Sequence, residues 1–189
     1  MSPNNKQLDL KQISEALTVC ITQVLEGMSS LTFSQDPDFA QKDIIEYESR
    51  FRTSGLSKFN GPCFVTAINY YTSDQAKQQH DTIGALVFYL EYDGAAKILK
   101  GLGIKDFIED DEDNVLDKCG ELCKIIAEKF KGEAKKLGYQ NLVLSDPLKG
   151  KNEINEGIEF DFNEDKYIQG NFYISKQKAF AIDVTLAPA

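Results

Sequence analysis

Cysteine, histidine and long apolar runs are all scarce in this chain of 189 residues. Four cysteines are too few for a disulfide scaffold at this length, so the sequence predicts a reduced, cytoplasmic protein. The single histidine, His80, lies in a polar stretch and is predicted to be an ordinary surface residue. No stretch reaches the roughly 18 apolar residues of a membrane-spanning helix, and the polar start lacks a signal-peptide core, so no membrane association is expected.

Positive charge is also in short supply, because 21 basic residues face 30 acidic ones and leave a formal net charge of -9. A chain this acidic is not expected to bind nucleic acid or an anionic membrane surface, since both need a basic patch. Its 42% hydrophobic and 11% aromatic residues are typical of a chain that folds. We predict one domain over residues 1–189, with residues 1–7 as a disordered tail.

Hydrophobic periodicity predicts an α+β fold. Two segments, 8–28 and 114–137, carry the three- and four-residue spacing of amphipathic helices, and residues 95–102 predict a shorter helix. Aromatic, β-branched or alternating segments predict strands at 62–72, 84–92, 141–145, 158–162, 167–174 and 180–186. Strict alternation implies one covered and one wet face, which is typical of antiparallel sheets. The predicted architecture is two long helices packed on an antiparallel β-sheet.

The remaining segments carry weaker signals. Residues 29–60 are mixed and predict a strand around 46–53, and residues 73–82 predict a loop or a hairpin extension. The acidic stretch 106–113 lacks the glycine and the final glutamate of a calcium loop, so Asp113 is predicted to cap the following helix instead.

No metal ion or cofactor is expected. Cys119 and Cys123, four residues apart, raise the possibility of a metal or redox pair. Both point to the apolar side of their helix, and free cysteine usually packs as a small buried hydrophobe. The sequence contains neither a dinucleotide-binding fingerprint nor a Walker A motif.

The second long helix carries a charged stripe opposite its apolar stripe. At about 100° per residue, Glu121, Lys124 and Glu128 all fall within about 40° of Asp117. Ordinary ion pairs, Glu121 with Lys124 and Lys124 with Glu128, would suit a purely solvated face. Gly120 borders the stripe and predicts a shallow spot where another backbone could approach.

The spacing of this stripe resembles a known signature, Asp117-x3-Glu121-x2-Lys124-x22-Pro147. It is similar to the motif of the CheC/CheX family of chemotaxis phosphatases, most closely that of the CheX type. In that family the first position is Asp or Ser, the second is Glu, the third is Asn and the last is Pro. Lys124 therefore stands where the family has its Asn. Residues 29–83 are longer than the family pattern requires.

The resemblance implies a CheC-like fold and a protein partner. Family members lay this helix against a phosphorylated CheY-type response regulator, where the Glu pairs with a regulator lysine and the Asn orients the attacking water. The resemblance thus implies that Asp117, Glu121, Glu128 and Pro147 contribute to docking, with Glu121 and Lys124 at the catalytic positions. It also implies a homodimer through a sheet edge, for which the strand at 179–187 is a candidate.

Lys124 is poorly suited to the chemistry of the family Asn. Its ammonium has three donors and no acceptor, so it can contact a phosphoryl oxygen but cannot hold a water with its lone pair aimed at phosphorus. We therefore expect docking on a response regulator with impaired or absent phosphatase activity. Two alternatives stay open. One is an active phosphatase that uses another residue, such as Glu128, and the other is a structural module without regulator binding.

Overall fold

The computed structural model describes residues 9–28, 31–47, 50–106, 108–155, 157–159 and 165–187. Its helices are α1 (Leu10–Met28), α2 (Asp74–Gln78), α3 (Tyr92–Gly101) and α4 (Glu112–Ala134). Short 3-10 turns span Gly55–Ser57 and Lys135–Leu137. The expected tail at 1–7 and the end of the predicted strand at 158–162 lie outside the described residues. None of the described helices combines the length and apolar character needed to cross a bilayer.

In the described residues, ten strands form two antiparallel sheets. They are β1 (Asp38–Asp43), β2 (Glu46–Tyr47), β3 (Arg50–Phe51), β4 (Cys63–Tyr71), β5 (Thr82–Glu91), β6 (Val143–Leu144), β7 (Leu148–Lys151), β8 (Ile158–Glu159), β9 (Lys166–Ile174) and β10 (Gln177–Leu186). The large sheet has the order β1-β9-β10-β5-β4-β6, with β7 also paired to β4. The small sheet has the order β2-β3-β8. The predicted α+β class is confirmed.

The two long helices cover one face of the large sheet. Both bury their apolar stripes there, together with one face of β4, β5, β9 and β10. Tyr70 of β4 packs against Phe130 of α4 with ring centroids 6.1 Å apart, and its hydroxyl donates to the Ala127 carbonyl at 3.2 Å. Each fully buried large side chain of this kind stabilises the fold by about 1.5–3 kcal/mol. The contacts fix which side of α4 faces solvent.

The start of α4 differs slightly from the sequence-based expectation. The N-cap is Asp111 rather than Asp113, and its Oδ1 accepts from the backbone N–H groups of Asp113 and Asn114, both at 3.1 Å. These bonds satisfy two of the amides that a helix N-terminus leaves without partners.

The other face of the large sheet is also covered, so the predicted wet face is wrong. Ala181, Asp183 and Thr185 of β10 are at most 1% exposed. A second hydrophobic cluster lies over them, built from the small sheet, its neighbouring loops and inward-facing residues of β4 and β5. Alternate residues of these strands do face opposite sides of the sheet, as predicted. The layer that covers the second side comes from segments distant in sequence, which the alternation could not show.

Three further segments depart from the predictions. Strand β1 went unpredicted because five of its six residues are exposed, which leaves no alternation. Strand β7 is short and contains two lysines and a glycine, so it carries no apolar pattern. Residues 73–82 contain the short helix α2, capped by Ser73, rather than a loop alone.

The strand predicted to offer a dimer edge is internal. β10 pairs with β5 on one side and with β9 on the other. The edges of the large sheet are β1 at one end and β6 and β7 at the other.

Candidate functional site

The charged stripe lies on the exposed face of α4. Asp117, Glu121, Lys124 and Glu128 are all exposed, whereas Leu122 and its neighbours on the opposite side are buried. A helix whose apolar side is fixed on the sheet presents the other side as a rigid row of side chains. The structure therefore brings four of the five predicted site residues together on one accessible surface.

Pro147, the fifth, lies beside this surface. The segment between β6 and β7 passes over α4 at Gly120, where an added Cβ would be 3.5 Å from the Cβ of Pro147. The same Cβ would be 3.0 Å from the Cδ of Lys149. Gly120 is buried, and the shallow spot predicted there does admit another segment of chain. The protein's own chain occupies it.

The carboxylates of the stripe have partners within the protein. Asp117 pairs with Lys149 at 2.5 Å and Glu121 pairs with Lys118 at 2.8 Å. Glu128 pairs more loosely with Lys131, at 3.5 Å. The pairs expected between Lys124 and its two glutamate neighbours are not formed, because Lys118 and Lys131, each three residues away on α4, take those carboxylates.

Lys124 differs from the other charged groups of the stripe. Within the described part of the chain it makes neither an ion pair nor a hydrogen bond, although it sits between two glutamates one turn away on either side. Among the described residues of the stripe, its ammonium is the charged group that no internal partner engages.

The four cysteines are buried, which confirms the prediction for Cys119 and Cys123. Burial raises the pKa values of Cys20, Cys63 and Cys123 to about 12 and that of Cys119 further still. Their thiols are therefore protonated at neutral pH, which makes them poor nucleophiles and poor metal ligands. No three potential metal-ligating side chains cluster anywhere in the described ranges.

His80 is exposed, as predicted, but it has a carboxylate partner. Its Nδ1 lies 2.5 Å from Oε1 of Glu159, whose other oxygen accepts from the Tyr71 hydroxyl. Glu159 lies 79 positions further along the sequence, so no local pattern could have indicated this contact.

A buried ionic cluster under the second layer was not predicted. The Lys58 ammonium donates to both oxygens of Asp183, at 2.9 and 2.7 Å, and to Oε1 of Gln169 at 2.8 Å. The Tyr89 hydroxyl donates to Asp183 at 2.8 Å. The ammonium also lies 4.8 Å from the ring centre of Tyr89 and 5.1 Å from that of Tyr167. All three protons of Lys58 are thus engaged.

Burial dominates the electrostatics of this pair. Lys58 is 5% exposed and Asp183 is 1% exposed. Desolvation lowers the pKa of Lys58 and raises that of Asp183, and their mutual attraction opposes both shifts. A cavity of about 260 Å³ opens beside them, with Phe51, Thr53 and Tyr167 among its lining residues. The ammonium and the carboxylate neutralise each other inside the protein. The hydrogen bonds from Lys58 to Asp183 and Gln169 connect the second layer to the large sheet.

The fold is that of the CheC/CheX-like chemotaxis proteins. CheX from Desulfovibrio desulfuricans superposes with a TM-score of 0.58 and 14% identity, covering 93% of this chain and 99% of that one. FliY from Thermotoga maritima superposes with a TM-score of 0.52 and 14% identity, covering 99% of this chain and 92% of that one.

A third similar structure contains a partner. In the CheX–CheY–BeF3–Mg2+ complex from Borrelia burgdorferi, the matched chain gives a TM-score of 0.51 and 13% identity, covering 96% of this chain and 99% of that one. No protein-family model matches the chain, and no curated protein matches it. At these identities the likeness concerns the fold.

Proposed function

We propose that the protein is a CheX-like component of bacterial chemotaxis or another two-component pathway that docks on a CheY-type response regulator. The observation that carries this proposal is the accessible row of Asp117, Glu121 and Lys124 on α4, with Pro147 beside it. The row combines the spacing of the CheX-type motif with the CheC/CheX-like fold. One protein of that fold has been seen in complex with a CheY.

Docking by this surface does not require catalysis. Hydrolysis of an aspartyl phosphate needs a water held in line with phosphorus, and positioning supplies most of the acceleration. An amide can accept from that water and donate to the phosphoryl group, whereas the Lys124 ammonium can only donate. The protein therefore binds the regulator and has little or no phosphatase activity of the family type.

Measuring the decay of a phosphorylated regulator tests this proposal. The regulators to use are the stand-alone CheY-type proteins encoded in the same genome, with wild type and Lys124→Asn compared at equal concentration. Wild type should leave the decay rate close to the intrinsic one, and Lys124→Asn should accelerate it. Fast turnover by wild type that is unchanged in Lys124→Asn would contradict the proposal.

One observation keeps an active phosphatase as a second candidate. Glu128 lies on the same stripe as Lys124, is exposed, and is only loosely engaged by Lys131 at 3.5 Å. A carboxylate can accept a hydrogen bond from water, as an amide oxygen does. If Glu128 orients the water, wild type will dephosphorylate the regulator and Glu128→Gln will lose most of that activity.

Self-association of the protein would use an end of the large sheet. β1 is the longer of the available edges, and it carries Asp38, Lys42 and Asp43. A two-fold antiparallel pairing of this edge centred on Ala40 would bring Asp38 of each copy opposite Lys42 of the other. Light scattering across a concentration series tests the homodimer, and a constant monomeric mass would exclude it.

A further inference from the structure

The cavity beside the buried ionic cluster has aromatic walls. Phe51 of β3 lines it from the small sheet, and Tyr89 of β5 and Tyr167 of β9 line it from the large sheet. Phe51 and Tyr89 are buried and Tyr167 is half-buried, and the rings of Phe51 and Tyr167 lie 5.4 Å apart at 45°. Such surfaces suit contact with the flat face of a ring.

Thr53 also lines this cavity, and its hydroxyl lacks a partner. The residue is 3% exposed, and its Oγ1 makes no hydrogen bond to any part of the chain that the structure describes. Leaving a buried hydroxyl unpaired is unfavourable, so such groups normally contact protein, water or a ligand. The cavity has room for several water molecules, but its aromatic walls offer them few partners. A molecule with both an apolar and a polar side fits it better than water does.

The ionic cluster disfavours a charged occupant. Each proton of the Lys58 ammonium is already donated, to Asp183 or to Gln169, so none is left for an anion. Asp183 is neutralised by the same ammonium, so a second cation would lose its hydration without gaining a free counter-charge. The exposed residues that line the cavity include one charge of each sign, Arg52 and Glu153. The site therefore favours an uncharged molecule.

Asp183 can still accept one hydrogen bond. A carboxylate offers about four lone-pair sites, and Asp183 uses two for Lys58 and one for Tyr89. The remaining site accepts a proton from a donor that carries no charge, such as a hydroxyl. The Thr53 hydroxyl can donate or accept, so it also matches a hydroxyl. A hydroxylated ligand thus satisfies both groups.

We propose that this cavity binds a small uncharged molecule built on a single hydroxylated ring, either a pyranose sugar or a phenol. The ring packs against Phe51 and Tyr167, and its hydroxyl groups bond to Asp183 and Thr53. The volume of about 260 Å³ lies below the range of about 300–1,000 Å³ typical of sites for larger ligands, so one ring is the limit. The cavity lies on the face of the large sheet opposite α4. The inference therefore goes beyond the proposed function and does not depend on it.

The test is an NMR titration of the whole ¹⁵N-labelled protein with glucose, galactose and phenol. Anisole keeps the ring of phenol without a proton to donate, and glucuronate adds a charge to the ring of glucose, so these two serve as control ligands.

Thr53→Val removes the hydroxyl and keeps the shape of the side chain. Thr66→Val is the matched control, because Thr66 is also buried with an unpartnered hydroxyl but does not line the cavity. Circular dichroism of both variants establishes that the fold is retained.

Saturable binding of a sugar or of phenol, with shifted amide signals at Thr53 and Tyr167, is expected, and the ligand that binds identifies the kind of ring. Thr53→Val should weaken that binding by roughly two- to tenfold, the scale of one neutral hydrogen bond, and Thr66→Val should leave it unchanged. Anisole and glucuronate should bind more weakly than phenol and glucose.

Three results would overturn the inference. They are the absence of saturable binding by glucose, galactose and phenol alike, equal binding by wild type and Thr53→Val, and binding of glucuronate as tight as that of glucose. None of them would affect docking through α4, which is tested separately with a response regulator.

Discussion

Replacing Lys58 by methionine should destabilise the protein far more than replacing an exposed lysine. Methionine fills much of the space of the lysine stem but removes the ammonium. Asp183 then keeps the Tyr89 hydroxyl as a donor and loses both hydrogen bonds from Lys58. The carboxylate is left in a site where it is 1% exposed, without its counter-charge.

Breaking one side of a buried ion pair costs about 3–5 kcal/mol. For a protein of this length, each kcal/mol shifts the melting temperature by about 2–4 °C, so Lys58→Met should lower it by about 6–20 °C. The loss should shrink at acid pH. Burial already raises the pKa of Asp183, and without Lys58 it rises further, so protonation as the pH falls removes the uncompensated charge.

Urea denaturation followed by circular dichroism measures these changes. Lys97→Met is the control, because Lys97 is exposed on α3 and its loss should stay within about 0.5 kcal/mol. The double variant Lys58→Met/Asp183→Leu should recover a substantial part of the loss, since an apolar pair leaves no buried charge. A loss of stability for Lys58→Met no larger than for Lys97→Met would refute the reasoning. So would a double variant whose loss equals the sum of the losses of Lys58→Met and Asp183→Leu.

Three further predictions concern helix α4 and the thiols. Gly132→Ala should stabilise the protein by about 0.8–1 kcal/mol, because nothing lies within 4 Å of the added Cβ. Gly120→Ala should stabilise it less, because the side chain of Lys149 must move. Urea titrations that rank the two variants the other way would contradict the packing at Gly120. Asp111→Ala should destabilise the protein by about 0.5–2 kcal/mol, because Asp111 caps α4, and Asp113→Ala should destabilise it by less than about 0.5 kcal/mol. Thermal unfolding measures both losses. Equal losses would argue against Asp111 as the cap. Burial raises the pKa values of the thiols in the folded protein, so above pH ~9 the unfolded chain loses these protons first. The free energy of unfolding should therefore fall as the pH rises, by up to about 1.4 kcal/mol per thiol per pH unit. A flat profile in urea titrations from pH 8 to 11 would contradict the burial of the thiols.

The features that could be predicted from the sequence are those with a local physical signal. The α4 stripe follows from a 3.6-residue period, so the exposure of Asp117, Glu121 and Lys124 needed no knowledge of the tertiary structure. The class of fold followed in the same way from two helical and several alternating segments. The single-domain organisation stays a prediction.

What could not be predicted depends on distant residues. Lys58 and Asp183 are 125 positions apart, and each alone looks like a solvated charge. Lys149 reaches Asp117 from 32 positions away, and this contact closes the spot at Gly120. Near α4, several lysines compete for each glutamate at similar spacing. Sequence alone therefore could not show that Lys124 would pair with neither of its neighbouring glutamates.

The most direct test of the account is a binding titration of a beryllofluoride-loaded CheY-type regulator with wild type and with the charge-reversed variant Glu121→Lys/Lys124→Glu. Both substitutions lie on the exposed face of α4, so the fold should be unaffected. The account predicts saturable binding by wild type and its loss in the variant. Equal binding by the two proteins, or no binding by wild type, would contradict it.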